Sequence, residues 1–545
     1  MPPSSISYTR VPKTSTILAD YLYHYERVAP FYGDQPPDVS AVTALTERLR
    51  GSDGRRREVA QVLLRQNRAF GCGPETVRNI ERLLEAGTFA VVTGQQAGFF
   101  SGPVFTLYKA LTAVKLAESL RRRGFEAVPI FWLASEDHDL EEVAQANVLT
   151  DADELVVLGD PGERPGPQSS VGYVKLSPGV GSALERLESL LPPGESRDRL
   201  LADLRASYPA GETWPRAFGR FMTRLFTRWG VVLLDPLDEE IHRLSAHLYL
   251  EAISRADELR RLLSERSREL IKAGYHAQVH LVENSTLVFM EREGSRRPLH
   301  HRDGRGEKGY FLSEEEDLSL AELRAKVQAQ PLIFSPNVLL RPAVQDCLLP
   351  TIAYVAGPSE LAYFGQAQVL YNAFGRPMPM IFPRGAFTLL DARCRRLMEK
   401  YRLLLEDVWQ GGAHLSQKIG AAGLAEGWTA RFEENEQELN RIMERLHADI
   451  ESLDPTLLGA LRRTEEKIKY QVERLKSKVS RAALERSELL RRHQEMLQRF
   501  LTPRHNLQER EISGAYFLGR AGYELLDRLL ERIDFDSFDH QTLDI

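Results

Sequence analysis

At 545 residues the chain is long enough for two or more domains, and its 43% hydrophobic and 27% charged residues suit a globular protein with a sizeable core. A formal net charge of -6 lacks the basic excess of a dedicated nucleic-acid binder. Three scattered cysteines (Cys72, Cys347 and Cys394) offer no disulfide framework or zinc site, and no apolar run is long enough to span a bilayer.

The opening MPPSSISYTRVPKTS has no apolar h-region, so a cytoplasmic protein without a signal peptide is expected. The first eighty residues read as charged helices, with apolar residues of QVLLRQNRAF and VRNIERLLEAG at helical spacing. Arg55, Arg56 and Arg57 form a short basic run, read as solvated surface. TFAVVT (88–93) is a buried strand, followed by a Gly-rich turn. A helix from about Pro103 to Arg123, stopped by Gly124, leads to a second buried strand, AVPIFWLA (127–134). That is a right-handed βαβ unit with parallel strands.

Residues 140–230 read as an insertion, with DELVVLG and VGYVKLS as short strands around the loop GDPGERPGPQSS. GVVLLDP (230–236) resumes the α/β pattern, and a long charged helix runs to about Gly274. HAQVHLVENSTLVFMERE reads as a hairpin turning near Asn284. TIAYVAG (351–357), a helix opening at GPSE, and the strand PMPMIFPRG (377–385) complete a parallel α/β core over 1–390.

Beyond Asp391 proline becomes rare. Leu439, Met443, Leu446, Ile450, Leu453 and Leu457 form one heptad seam. Ile468, Val472, Leu475, Val479, Ala482, Leu489, Met496 and Phe500 form another, interrupted at Arg486 and His493. Asp454-Pro455 separates the two, which predicts an antiparallel helical hairpin within 391–510. The seam serves the hairpin alone or also pairs two chains. Residues 511–545 are apolar enough to pack back on the core.

Parallel sheets bind ligands beyond the carboxyl ends of their strands. The turn TGQQAGFFSGP lies at such an end. Its glycines allow close backbone approach, and the helix after it presents free N–H groups to an anion. Thr93, Gly94, Gly98, Ser101 and Gly102 are therefore candidates for a nucleotide or other anion. Thr106 and Lys109 lie one turn further on, within reach of a phosphate or carboxylate, and Gln95 and Gln96 can donate and accept hydrogen bonds.

The second strand ends in SEDHDLEE, which places Glu136, Asp137, His138 and Asp139 on the same side of the sheet. A carboxylate that orients His138 gives a proton-transfer pair. The same residue types bind a divalent metal, and the alternative is a helix cap from Ser135 or Asp137. In SPNVLLRP, Asn337 and Arg341 stand among apolar residues; Arg341 is a bidentate carboxylate clamp or a structural arginine. In VAGPSELAYFGQ, Glu360 is a site residue or a helix cap, with Tyr363 and Gln366 following and packing as the alternative for Tyr363. His242, His247, His276, His280, His300 and His301 read as surface or core residues. His276 and His280 share an expected strand face, and the last two sit in the expected loop SRRPLHHRDGRG. RLKSKVS (474–480) resembles a phosphate-binding loop only superficially.

Together, TGQQAGFFSGPVFTLYKA, FWLASEDHD, SPNVLLRP and YVAGPSELAYFGQ resemble the bacillithiol-biosynthesis cysteine-adding enzymes, the BshC family, over nearly the whole chain. The resemblance implies a Rossmann-like parallel-sheet core with inserted connecting segments and an α-helical coiled-coil domain, often dimeric. It implies a ligase that adds L-cysteine to glucosaminyl-malate by amide formation, giving bacillithiol. On this reading His138, oriented by Asp137 or Asp139, accepts a proton from the attacking amine, and Lys109 and Thr106 stabilise charge on the activated carboxylate. Gln95, Gln96, Glu136, Asn337, Arg341, Glu360, Tyr363 and Gln366 form the substrate-binding set. A nucleotide (ATP or ADP) is the expected cofactor, and no metal is expected. The absence of an HxGH motif or a KMSKS-type loop leaves the activation route open. Two other readings remain: a metal-dependent hydrolase built on EDHD, and a non-catalytic coiled-coil scaffold.

Overall fold

Continuous apolar runs build the centre of the fold, because a strand covered on both faces needs apolar side chains on both. β1 (Phe89–Gln95), β2 (Ala127–Leu133), β3 (Val232–Leu234), β4 (Thr351–Ala356) and β5 (Met380–Pro383) form one parallel sheet in the order β5-β4-β1-β2-β3. This arrangement comes from a computed structural model, which describes residues 5–33, 36–49, 55–303, 308–312, 318–424 and 427–545. The chain leaves β1 toward β2 on one side and returns at β4 on the other. The crevice beyond the carboxyl ends of β1 and β4 is thus the point where strand order reverses, where open α/β sheets take ligands.

α1 (Phe105–Arg122) joins β1 to β2, starting two residues later than the sequence indicates. α2 (Pro358–Ala373) joins β4 to β5, with Pro358 at its first position. The turn between β1 and α1 is tightly wound. Phe100, Ser101 and Gly102 have successive positive φ values of 47°, 78° and 65°, and a Cβ on Gly98 would lie 2.6 Å from the Gly102 Cα. Left-handed backbone at two non-glycine residues costs about 1–3 kcal/mol each, so the surroundings must hold it. Phe99 and Phe100 stack at 3.9 Å between centroids, and Tyr208 and Trp214 pack against them. The C-terminal segment supplies the rest. Val104 N–H donates to the Ile512 carbonyl (2.9 Å), Gly514 N–H to the Gly102 carbonyl (3.0 Å), and the Ser513 hydroxyl to the Phe100 carbonyl (3.0 Å).

An antiparallel sheet inserted between β3 and β4 roofs the crevice. Its strands are Phe334–Pro336, Ser285–Arg292, Ser295–Asp303 and Lys308–Phe311, in that order. The hairpin expected over HAQVHLVENSTLVFMERE is not formed, since 276–284 hold no strand; Ser285–Arg292 pairs instead with Ser295–Asp303 across a turn at Glu293–Gly294. Both turn residues have positive φ, as a two-residue hairpin requires. His276 and His280 consequently lie outside any strand, while SRRPLHHRD is a strand and not a loop. Gly304 to Gly306 of that stretch lie outside the described residues. VGYVKLS is a 3-10 turn (Val171–Tyr173) followed by single bridges through Lys175, and Leu155–Gly159 pairs instead with Gln145–Leu149.

Beyond the core, α3 (Trp428–Leu453) and α4 (Leu458–Arg486) flank the Asp454-Pro455 turn, where the Asp454 carboxylate accepts from the Thr456 N–H at 2.9 Å. The second seam is not one helix. It breaks at Ser487, whose hydroxyl caps α5 (Glu488–Leu501). Much of the seam faces outward: Leu453 is 81% exposed, and Leu475 and Leu489 more than half exposed. The chain end returns to the core, where His540–Asp544 pairs with both Ser5–Ile6 and Phe387–Leu390.

Arg384, just past β5, fixes this return. Its guanidinium makes a two-pronged bond to Glu509 at 2.9 and 2.5 Å, with both side chains buried. Removing one member leaves an uncompensated buried charge, which costs about 3–5 kcal/mol. Glu509→Ala should therefore lower the urea-unfolding midpoint markedly. Glu488→Ala, which breaks an exposed pair with Arg492, should leave it unchanged. Equal midpoints for the two variants would contradict this.

Candidate active site

Lys109 lies one turn into α1 and is almost wholly buried. Its ammonium pairs with Glu360 at 2.5 Å and donates to the Gly94 carbonyl and to Gln95 Oε1 (3.2 Å). Glu360 also caps α2 through the Gly357 N–H (2.7 Å) and accepts from the Tyr354 hydroxyl (2.7 Å). Arg341 extends the chain, donating to Tyr363 (2.8 Å), Tyr354 (3.3 Å) and Gln345 (3.1 Å). Burial pushes the Glu360 carboxyl up, but Lys109, the Gly357 N–H and Tyr354 outweigh it and hold the carboxyl below the usual range. Burial lowers the Lys109 ammonium, with Glu360 opposing.

A second polar group gathers where β2 and β3 end. The Ser135 hydroxyl donates to Asp235 at 2.5 Å. Burial raises the Asp235 carboxyl to about 6, and raises that of its neighbour Glu136 to about 7 against the opposing pull of Arg296. Glu136 Oε1 lies 3.4 Å from His242 Nε2, on the helix Glu239–Ser254, and neither atom has a hydrogen-bond partner among the described residues. Burial depresses the His242 imidazole to about 4, so it is neutral near pH 7. Its Nδ1 faces the Pro331 carbonyl at 3.2 Å, which assigns the ring proton there and turns the lone pair of Nε2 toward Glu136. A protonated Glu136 fits that lone pair; an ionised one does not.

Arg296 descends from the roof. It donates to Ser335 Oγ and the Pro336 carbonyl, both at 2.8 Å, and lies over the Phe289 ring. Lys109, Glu360, Tyr354, Arg341, Glu136 and Arg296 line a cavity of about 760 Å³. It is the size of a drug-like ligand site, apolar in most of its lining with converging polar groups.

Of the residues named from sequence, Gly94, Gln95, Gln96, Lys109, Glu136, Asp137, Asn337, Arg341, Glu360 and Tyr363 line this cavity. Gln96 donates to Asp137 (2.7 Å) and Glu142 (3.0 Å). The Asn337 side-chain oxygen also accepts from the Leu339 (3.1 Å) and Leu340 (2.9 Å) N–H groups, in the turn before the helix that begins at Arg341. His138 stands outside the lining, 3.7 Å from Asp137 and 3.5 Å from Arg296. Asp139 is the cap of the short helix Leu140–Val143, a role the sequence assigned to Ser135 or Asp137. Gln366 is buried and holds the backbone of Val279, itself a lining residue. Thr106 and Gly98 line a smaller neighbouring cavity.

The tight turn binds protein, not solvent. Gly98, Gly102 and Val104 N–H groups donate to Gln96, Phe99 and Ile512, Ser101 is buried, and the Thr93 hydroxyl donates to Val355. These groups do not fit a phosphate cradle. Among the described residues no three His, Cys, Asp or Glu side chains converge as a metal site, so EDHD has no ligand set for a metal hydrolase.

Arg296, His242, Asp235, Tyr354 and Arg384 escaped the sequence reading. Asp235 and Arg384 follow strand ends, where the parallel-sheet rule points to ligand contacts. Arg296 was hidden in a stretch taken for a loop, and nothing local marks His242 or Tyr354.

Two family profiles match the chain: "Bacillithiol biosynthesis BshC, N-terminal Rossmann-like domain" over residues 3–385 and "Bacillithiol biosynthesis BshC, C-terminal coiled-coil domain" over 387–545. Similar proteins named "Putative cysteine ligase BshC" occur in Koribacter versatilis (37% identical, covering 97% of this chain and 98% of the relative) and Solibacter usitatus (34%, 98% of each). Another, from Salinibacter ruber, is 33% identical over 97% of this chain and 96% of its own length.

The raised Glu136 carboxyl keeps its proton up to a pH of about 7. Difference infrared spectra should show a buried protonated carboxyl at pH 6 that is lost by pH 8 and missing in Glu136→Gln. A band unchanged by pH or by the substitution would contradict the assignment.

Proposed function

This chain belongs to the bacillithiol-biosynthesis BshC family, and on that premise we propose that it is a cysteine ligase joining the carboxyl of L-cysteine to the amine of glucosaminyl-malate. The observation that carries this reading is the cavity at the strand-order reversal, where arginines converge opposite a buried, protonatable carboxyl. Arg341 suits the malate carboxylates, since guanidinium binds a carboxylate through two parallel bonds. Asn337, Gln95 and Gln96 supply neutral donors and acceptors for the sugar. Lys109 and Glu360 are committed to each other, and act by fixing the Gln95 side chain and the Gly94 backbone.

Amide formation forms a bond from the sugar nitrogen to the cysteine carboxyl carbon, expels one carboxylate oxygen and removes protons from the amine. Glu136 lines the cavity and His138 does not, so the proton-accepting role falls to Glu136, with the His242 lone pair placed to accept from it once it carries the proton. Asp137 and His138 stand at the rim. A free carboxylate acylates amines poorly, and a nucleoside triphosphate, when it is a co-substrate, supplies the leaving group. The turn at Gly98 and Gly102 does not fit its phosphates, so it has no part in that activation here.

Glu136 works as a base only when ionised, so kcat should rise with pH through about 7. Glu136→Gln should lower kcat about 100-fold or more with little change in KM, the usual scale for losing a general base. His138→Ala should stay within about tenfold of the parent. Arg341→Gln should raise the KM for glucosaminyl-malate about tenfold or more. A Glu136→Gln enzyme at parental rate, with the same pH profile, would reject the base assignment.

A further inference from the structure

A second cavity of about 230 Å³ adjoins the first and shares Gln95, Gln96, Phe105, Glu142 and Arg510 with it. It has room for several waters or one small amino acid, and it is built differently from its neighbour. Thr106, 1% exposed, contributes a buried hydroxyl with no hydrogen-bond partner among the described residues, and the amide oxygen of Asn147 is likewise unpartnered. Buried polar atoms of this kind call for a partner that completes them. Both can accept a hydrogen bond, and Glu511 adds a third acceptor to the lining, where it takes a bond from Asn506 (2.7 Å).

Two guanidiniums also line it: Arg504, paired with Glu511 at 3.6 Å, and Arg510. Arg510 lies in both linings, so it marks the junction of the two cavities. It stands over the Phe105 ring at 5.9 Å and has no carboxylate partner among the described residues. Acceptors in the smaller cavity and a free guanidinium at its mouth match an α-amino acid in one orientation. The ammonium points inward to Thr106, Asn147 and Glu511, and the carboxylate points out to Arg510.

We infer that the smaller cavity is the α-amino acid subsite, holding its zwitterion with the carboxylate presented at the junction. This deepens the ligase reading and rests on it for the identity of the amino acid as cysteine. The orientation is the one an amide-forming enzyme needs, because the carboxyl carbon then faces the cavity that holds the amine. It also gives Thr106 a role apart from any phosphate.

The test is binding to the full chain by calorimetry, with L-cysteine, cysteamine and 3-mercaptopropionate as probes, and glucosaminyl-malate titrated separately. L-Cysteine should bind. Cysteamine, which lacks the carboxylate, and 3-mercaptopropionate, which lacks the ammonium, should each bind at least tenfold more weakly. Thr106→Val and Glu511→Gln touch the smaller cavity alone, and each should weaken cysteine at least fivefold while leaving glucosaminyl-malate unchanged. A thermal melt matching the parent's identifies the folded variant to be scored. Parental cysteine affinity in both variants, cysteamine binding as tightly as cysteine, or no cysteine binding at all would overturn the subsite. Cysteine binding that the two variants weaken, in a protein that forms no amide product, would uphold the subsite and fault the ligase reading instead.

Discussion

The site depends on one buried ion pair. Lys109 and Glu360 come from helices that follow different strands, β1 and β4, and they meet at 2.5 Å where the strand order reverses. Neither charge could be buried there alone, because the desolvation penalty of a lone ion far exceeds what the fold can absorb. Both are fully engaged: the ammonium by two oxygens of the β1 end, the carboxylate by the Gly357 N–H and the Tyr354 hydroxyl. The pair therefore ties the first turn of α1 to the first turn of α2 and sets the width of the crevice between them. Tyr354 passes the constraint on to Arg341, so a cation that faces the cavity is oriented by the same network.

Around this fixed centre the inserted segments supply further polar groups. The parallel sheet alone presents Gln96, Glu136 and Asp137 at its strand ends. The antiparallel roof brings Arg296, and the helix after β3 brings His242 to 3.4 Å from Glu136, a carboxyl whose burial lets it hold a proton near neutrality. The C-terminal segment closes the other side. Its Ile512 carbonyl takes the Val104 N–H, its Ser513 hydroxyl and Gly514 N–H donate to the Phe100 and Gly102 carbonyls of the tight turn, and it delivers Arg510 and Glu511 to the cavity walls. A turn that looks made for phosphate is instead the socket in which the end of the chain is seated.

The parallel sheet was legible because its strands are continuous apolar runs with β-branched residues, spaced by helical periods. The position of the site was legible too, since parallel strands direct their carboxyl ends to one side. The roof was misplaced by several residues because Ser285–Arg292 and the sequence before it are equally apolar, and only the positive φ at Glu293 and Gly294 marks the turn. The second seam is interrupted at Arg486 but resumes in register at Leu489, so its spacing did not reveal that the helix ends at Ser487. His242 was out of reach for a different reason. Its environment is made by Glu136, more than one hundred positions away, and by the Pro331 carbonyl, and no local pattern reports contacts of that range.

The proposed ligase activity is tested by incubating the purified protein with cysteine and glucosaminyl-malate, with and without ATP, and following bacillithiol by mass spectrometry. Product of that mass is expected only when both substrates are present. Folded protein that binds both compounds and yields no such product, with or without ATP, would rule out the ligase reading.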